Sequence, residues 1–248
     1  MEKVVIGVVH LLPLPGSPEY VSLEEVVDKA LRDARAIEEG GADALIVENY
    51  GDRPFLKEVG KEVVACMTAI ASEIRREISI GLGINVLRND AVAALAIAKA
   101  VNADFVRVNQ LFFSSLSPEG VLEGNAAEIM RYRRQIDCDA MVFADIMVKH
   151  AIHFARIEDY CLNAERSLAD ALIVTGKATG REVNVEDLKL VKREAGMPVL
   201  AGSGVNAENA GRILKHCDGV IVGSYIKRGG RVDAERVSRI VRIAKSER

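Results

Sequence analysis

A set of polar side chains stands where apolar runs of the sequence stop. His10 ends VVIGVVH, Glu48 and Asn49 follow ALIV, Asn85 follows GLGI, Arg107 and Asn109 alternate with Val106 and Val108, and Asp145 closes VFA. Alternation along a strand turns Arg107 and Asn109 to one face. If the valines face outward, the arginine lies inside, where an unpaired charge is too costly to keep. It must meet either a carboxylate, with Asp145 and Glu48 the candidates, or an anionic ligand. A carboxylate near a cation and partly desolvated can be tuned for proton transfer. The set therefore suits acid–base chemistry. Asp145 is the first choice as general acid or base and Glu48 its counterpart, with Asn85 and Asn109 holding hydroxyls and Arg107 offsetting developing negative charge. Isomerisation and glycosidic-bond cleavage both fit.

Two glycine–serine turns, Gly202-Ser203-Gly204 and Gly223-Ser224, end the last two apolar runs. Glycine lets backbone approach a ligand closely, so the pair reads either as tight turns or as an anion site assisted by the Ser203 and Ser224 hydroxyls. Thr175, His10, Arg88, Lys149 and Lys177 join it as candidate ligand-binding residues. Lys149 and His150, just beyond Asp145, read as rim groups for an anion or as capping and packing residues. A Schiff base on Lys149 is a variant of the same chemistry. A divalent metal held by His10, Glu48 and Asp145 is another option, whereas the His150–His153 pair is a weak ligand motif.

These residues need a scaffold, and the sequence repeats one. GGADALIV, VNADFVRV, DCDAMVFA, SLADALIV and KHCDGVIV share an Asp that introduces a run of strand formers. VVIGVVH, ISIGLGINV and PVLAGSG complete eight runs separated by segments of helical periodicity. A parallel pair of strands needs a crossover, and a helix supplies it. Eight such units in 248 residues predict one (β/α)8 TIM barrel spanning residues 1–248, with a doubly wound open sheet as the alternative. In a barrel, Asp43, Asp104, Asp139, Asp170 and Asp218 fall at the bottom face, where a structural role is expected, while the polar run ends gather at the catalytic face.

The loops add detail. HLLPLPGSPEY is stiffened by prolines. Ser22 with Glu25 resembles a capping box, followed by a glycine stop at Gly40-Gly41. In NVLRNDA, Asp90 suits a helix cap as well as a site. TGKATG, with Lys177 and Thr179, could fold over a ligand or lie solvated.

With 33 basic and 36 acidic residues, the formal charge is -3 and no basic run tracks a phosphate backbone, which argues against nucleic acid as partner. The apolar start is short, ends in prolines and glycine and lacks a basic leader region, and no run reaches the ~20 residues that cross a bilayer. A cytoplasmic protein is expected. Cys66, Cys138, Cys161 and Cys217 lie far apart and read as reduced, mostly buried thiols.

HLLPLPGSP, LIVENYGDRPF, GINVLRND, RVNQ, EGNAAEIMRYRRQI, FADIMVKH, ADALIVTGKATG, AGSGVNAEN and DGVIVGSYIKRGG together resemble the BtpA/SgcQ family over essentially the whole chain. The resemblance implies a TIM barrel of the ribulose-phosphate-binding type, whose phosphate site is built by the last two strands. It implies further either a role in photosystem I assembly with peripheral membrane association, or an enzyme of sugar or nucleoside metabolism acting on a small phosphorylated ligand, and it is compatible with a homo-oligomer. One segment departs from the family pattern: NQLFFSSLSPEGVLEG is more apolar at Leu111–Phe113 than the expected glycine-containing turn, which would alter a pocket wall.

Overall fold

The computed structural model describes residues 3–176 and 182–247. In chain order the strands are β1 (Val4–His10), β2 (Ala44–Glu48), β3 (Gly81–Asn85), β4 (Phe105–Val108), β5 (Ser114–Ser117), β6 (Gly120–Glu123), β7 (Met141–Ile146), β8 (Ile152–His153), β9 (Ala171–Val174), β10 (Val199–Ala201), β11 (Gly219–Val222), β12 (Lys227–Arg228) and β13 (Arg231–Val232). The helices are α1 (Leu23–Glu39), α2 (Lys61–Glu77), α3 (Ala91–Val101), α4 (Ala126–Gln135), α5 (Ile157–Ala164), α6 (Val185–Glu194), α7 (Ala210–Leu214) and α8 (Ala234–Ser246).

Strands β1, β2, β3, β4, β7, β9, β10 and β11 pair in parallel in that order and β11 returns to β1, closing the expected (β/α)8 barrel. All eight apolar runs of the sequence supply a barrel strand. The lower interior is filled by Ile6, Val8, Ala44, Ile46, Phe105, Ile173, Leu200 and Ile221, and Phe143 stacks on Phe105 at 4.7 Å between ring centroids. Gly83 makes room for this pair, since a Cβ there would fall 2.2 Å from the Phe105 ring. The larger apolar layer lies outside, between strands and helices.

The repeated Asp has a common job at the bottom face. Asp43 accepts from Val5 N–H at 2.7 Å and returns its own N–H to Val5 O at 2.9 Å. Asp104 does the same with Leu82, Asp170 with Val142 and Asp218 with Val199. Each is a two-way clasp from the start of one strand to the neighbouring strand, satisfying an N–H that the parallel ladder leaves over.

Other local expectations are refined. Ser22 caps α1 without a side-chain hydrogen bond, so the capping box does not form, and the left-handed stop belongs to Gly41 (φ +82°) rather than Gly40. Asp90 is the N-cap of α3, accepting from Ala93 N–H and also from Val59 N–H, which settles it as structural. The four cysteines are free thiols, three of them buried and Cys66 half-buried. Among the described residues, no helix is long and apolar enough to cross a membrane.

Asp218→Ala, which leaves Val199 N–H without its acceptor, is expected to lower unfolding free energy by roughly 1–3 kcal/mol in urea titrations. Arg239→Ala, at an exposed pair with Glu235 on α8, should leave the urea midpoint nearly unchanged. Equal effects would contradict the structural role of the repeat.

Candidate active site at the C-terminal mouth of the barrel

Strand register determines which polar ends meet. His10 pairs with Glu48 and Glu48 with Asn85, which aligns three side chains at one level of the mouth. Arg107 pairs with Phe143, so Asn109 and Asp145 share the level two residues higher. The Arg107 guanidinium donates through Nε and Nη2 to the two Asp145 oxygens, both at 2.9 Å, and through Nη1 to Glu48 Oε1 at 3.1 Å. Asn109 donates to Asp145 Oδ2 at 2.8 Å, and Asn85 donates to Asn109 Oδ1 at 3.1 Å and to Arg107 O at 2.8 Å. Burial alone would weaken Arg107 as a base, but the charges of Asp145 and Glu48 outweigh it and hold the guanidinium more firmly protonated than usual.

This network has a direction. Asp145 can only accept, so Asn109 must donate to it, which turns Asn109 Oδ1 to Asn85 and makes Asn85 the donor there. Asn85 Oδ1 is left buried without a partner among the described residues, on the wall of a cavity of about 330 Å³. Glu48, Tyr50, Phe55, Arg88, Glu119 and Lys149 also line that chamber. A narrow annex of about 30 Å³ lies at the C-terminal ends of β10 and β11, bounded by His10, Gly202, Ser203, Gly223 and Ser224. Glu48, Tyr50, Arg107 and Lys149 line both spaces.

The geometry sorts the candidates read from sequence. Glu48, Asn85, Arg107, Asn109 and Lys149 reach the chamber, and His10, Ser203, Ser224, Gly202 and Gly223 bound the annex. Gly204, in the left-handed region (φ +66°), shapes the same turn and accepts from the Asn209 amide. Asp145 does not reach either wall: its carboxylate is fully covered and takes three donated bonds, so it lies beneath the cavity as the anchor of Arg107. His10, Glu48 and Asp145 do not gather as metal ligands, because Arg107 stands between the two carboxylates, and no group of three such side chains occurs among the described residues. The His150–His153 pair fails too, since both His153 ring nitrogens are engaged, by Tyr160 Oη at 3.0 Å and Val148 O at 2.9 Å. Lys177 and Thr179 lie outside the described residues.

Arg88 and Thr175 also move from their expected place. Neither bounds the annex. Arg88 pairs with Glu119 at 3.3 Å and donates to Lys149 O at 2.7 Å, while Thr175 donates to Met147 O at 3.2 Å. With His153 on Val148 O, three successive carbonyls of the turn after β7 are held. Lys149 is therefore no loose rim group but a positioned one at the junction of chamber and annex.

The annex is electropositive. His10, stacked on Tyr50 at 4.2 Å, is kept neutral well below the usual imidazole range by burial and by Lys227, Lys149, Lys29 and Arg107 around it. Lys227, not singled out in the sequence, donates to Val8 O and Gly223 O, and burial pushes its pKa down to about 8. Tyr50, Arg53 and Phe55 were likewise missed as individuals, although they belong to the phrase LIVENYGDRPF. Pro118 and Glu119 come from the turn between β5 and β6. That hairpin pairs with β8 to form a small antiparallel sheet at the mouth. It is built from the departing NQLFFSSLSPEG segment, which reaches the chamber wall through Asn109, Pro118 and Glu119, whereas the apolar Leu111–Phe113 do not line it and Phe112 and Phe113 pack against Tyr160 instead.

The BtpA family model matches residues 1–246. The chain belongs to the BtpA family. It is 78% identical to an uncharacterised protein of Archaeoglobus fulgidus, covering 99% of this chain and 100% of the relative. It is 44% identical to the photosystem I biogenesis protein BtpA of Synechocystis, covering 92% and 82%. Among solved structures it superposes on thiamine phosphate pyrophosphorylase from Pyrococcus furiosus with a TM-score of 0.65 at 19% identity, covering 99% and 96%. It also superposes on geranylgeranylglyceryl phosphate synthase from Thermoplasma acidophilum in complex with sn-glycerol-1-phosphate, with a TM-score of 0.65 at 18% identity, covering 99% and 94%. These likenesses establish the barrel fold.

Two outcomes follow. Arg107→Ala leaves Asp145 and Glu48 buried without their cation and should cost roughly 3–5 kcal/mol; an unchanged urea midpoint would contradict the network. For His10, the folded ring resists protonation while the unfolded one titrates near 6.5, so its contribution to stability is complete above that pH and lost as pH falls below it. Ring ¹⁵N shifts should report neutral His10 at pH 6, and an imidazolium there would refute the cationic surroundings.

Proposed function

We propose that this BtpA-family barrel is an enzyme acting on a small phosphorylated metabolite, its phosphate held in the annex and its reacting end in the chamber. The observation that carries the reading is the junction itself: one carboxylate, one guanidinium and one amine face both a glycine–serine annex and a chamber of small-metabolite size. Gly202–Gly204 and Gly223-Ser224 bring backbone close to the anion, and the cations around His10 favour its charge. Barrels of this class often place phosphate after their seventh and eighth strands.

Glu48 takes over the acid–base role from Asp145. Its Oε1 is tied to Arg107, and its Oε2 lies 3.7 Å from the neutral His10 ring on the wall of both spaces, within reach of a bound ligand. Asp145 and Asn109 act through others, one orienting Arg107 and the other fixing the Asn85 amide, whose open acceptor calls for a hydroxyl or N–H on the ligand. Arg107 offsets negative charge that develops on the reacting oxygen. Isomerase, lyase and nucleosidase chemistry all remain within the reach of this set. A second reading, a ligand-sensing biogenesis factor without turnover, is favoured by the Synechocystis relative, a photosystem I biogenesis protein.

Thermal-shift titrations with sugar phosphates and nucleoside phosphates separate the two. Ser203→Asp, which puts a carboxylate at the annex, should abolish stabilisation by any phosphorylated ligand that stabilises the parent protein. Glu48→Gln should retain binding and lose turnover by about 10²-fold or more. Binding that survives Ser203→Asp refutes the annex. Binding without turnover across substrates, indifferent to Glu48→Gln, supports the sensor.

A further inference from the structure

We propose that Lys149 is a carbonyl-capturing nucleophile, so that the phosphorylated ligand is an aldehyde or ketone held as an imine during turnover. This deepens the phosphate reading above and rests on it. Among the described residues, three lysines act on His10 at the edge of the annex, and two are committed. Lys29 Nζ donates to Asp33 at 2.6 Å and to His10 O at 3.1 Å, and Lys227 Nζ donates to Val8 O at 2.8 Å and Gly223 O at 3.1 Å. Lys149 Nζ has no hydrogen-bond or ion-pair partner among the described residues, yet the turn that carries it is held at three successive carbonyls. Thr175, His153 and Arg88 bond the carbonyls of Met147, Val148 and Lys149 in succession. A lysine kept only for charge needs no such support, whereas a nucleophile must be presented in one place.

Position and surroundings suit the chemistry. Lys149 lies where chamber and annex meet, so a ligand whose phosphate occupies the annex brings a carbon a few bonds away to the amine. Burial, then the charge of Arg107, lowers the basicity of the amine against the opposing pull of Glu48 and Asp145, leaving more of it neutral and nucleophilic at ordinary pH. The neutral amine adds to the carbonyl carbon, and the carbonyl π pair moves to oxygen. The oxygen gains two protons, one of them from the amine and both relayed by Glu48 and solvent, and leaves as water. The C=N bond forms as the C–O bond breaks, and the nitrogen carries a proton as the iminium. That iminium withdraws electrons from an adjacent C–H or C–C bond, and Glu48 on the same wall accepts or returns the proton. No redox partner is needed.

The test is borohydride trapping of the intact protein with dihydroxyacetone phosphate, glyceraldehyde 3-phosphate and ribose 5-phosphate, read by intact mass and peptide mapping. At least one probe should add its dehydrated, reduced mass to the peptide bearing Lys149. Lys149→Arg, which keeps the charge, should reduce labelling to the level seen without probe. Glycerol 3-phosphate, with no carbonyl, should raise the melting temperature in both proteins and label neither. Stabilisation by the phosphorylated probes with no adduct, or with adducts only on Lys29 or Lys227, overturns the assignment of Lys149 and leaves the phosphate site standing. If no phosphorylated compound shifts the melting temperature, the phosphate reading fails instead. In that case, labelling of Lys149 by unphosphorylated glyceraldehyde sustains the nucleophile, and its absence overturns it as well.

Discussion

Arg107 carries a permanent charge into the interior of the barrel, and the arrangement of the mouth follows from neutralising it. A buried guanidinium is tolerable only with carboxylates held against it and their remaining lone pairs satisfied. Asp145 supplies the planar two-point partner and Glu48, on β2, a single oxygen from the other flank of Arg107. Asn109 completes Asp145, and the requirement that each amide donate in one direction passes through Asn109 to Asn85. A charge near the middle of the barrel thereby dictates which atom of a side chain on the neighbouring strand faces the cavity.

The same neutralisation divides labour between the carboxylates. Two acids in one mouth look equivalent until their partners are counted, and the one fully used by Arg107 and Asn109 has nothing left for chemistry. Glu48 keeps an oxygen near His10 and stays on both walls. Around it the balance of charge tips positive, with lysines from α1, β12 and the turn after β7 close enough to keep His10 neutral. An anion entering the annex would meet that positive surplus, with the Glu48 carboxylate beside it.

The scaffold was largely legible in the sequence because its signals are local and repeated. Eight apolar runs separated by helical periodicity admit few topologies, and the recurring Asp marks the start of five of the runs; at four of them the structure displays its two-way clasp. Parallel register then carries Glu48, Asn85, Arg107 and Asn109 to the mouth, as the positions of the runs require. Roles were less legible than places. Sequence could not say that Asp145 would spend both oxygens on Arg107, since that depends on depth along the strand. Nor could it say that Arg88 and Thr175 would turn to the backbone around Lys149 rather than to the annex. Lys227 was hidden because its segment forms a short hairpin past the last barrel strand, and only tertiary closure returns its amine to Val8 and Gly223. The β5–β6 hairpin was visible only as an apolar departure, not as a structure that delivers Glu119 to the chamber.

The central claim is that the annex at the C-terminal ends of β10 and β11 holds the phosphate of a ligand whose reacting end meets Glu48 and Lys149. A crystal structure of the protein grown with saturating ribose 5-phosphate tests it most directly. Tetrahedral density bounded by Gly202, Ser203, Gly223 and Ser224, with the sugar extending past Lys149 toward Asn85, is the predicted result. Phosphate density elsewhere on the barrel, with the annex occupied only by solvent at saturation, would contradict the account.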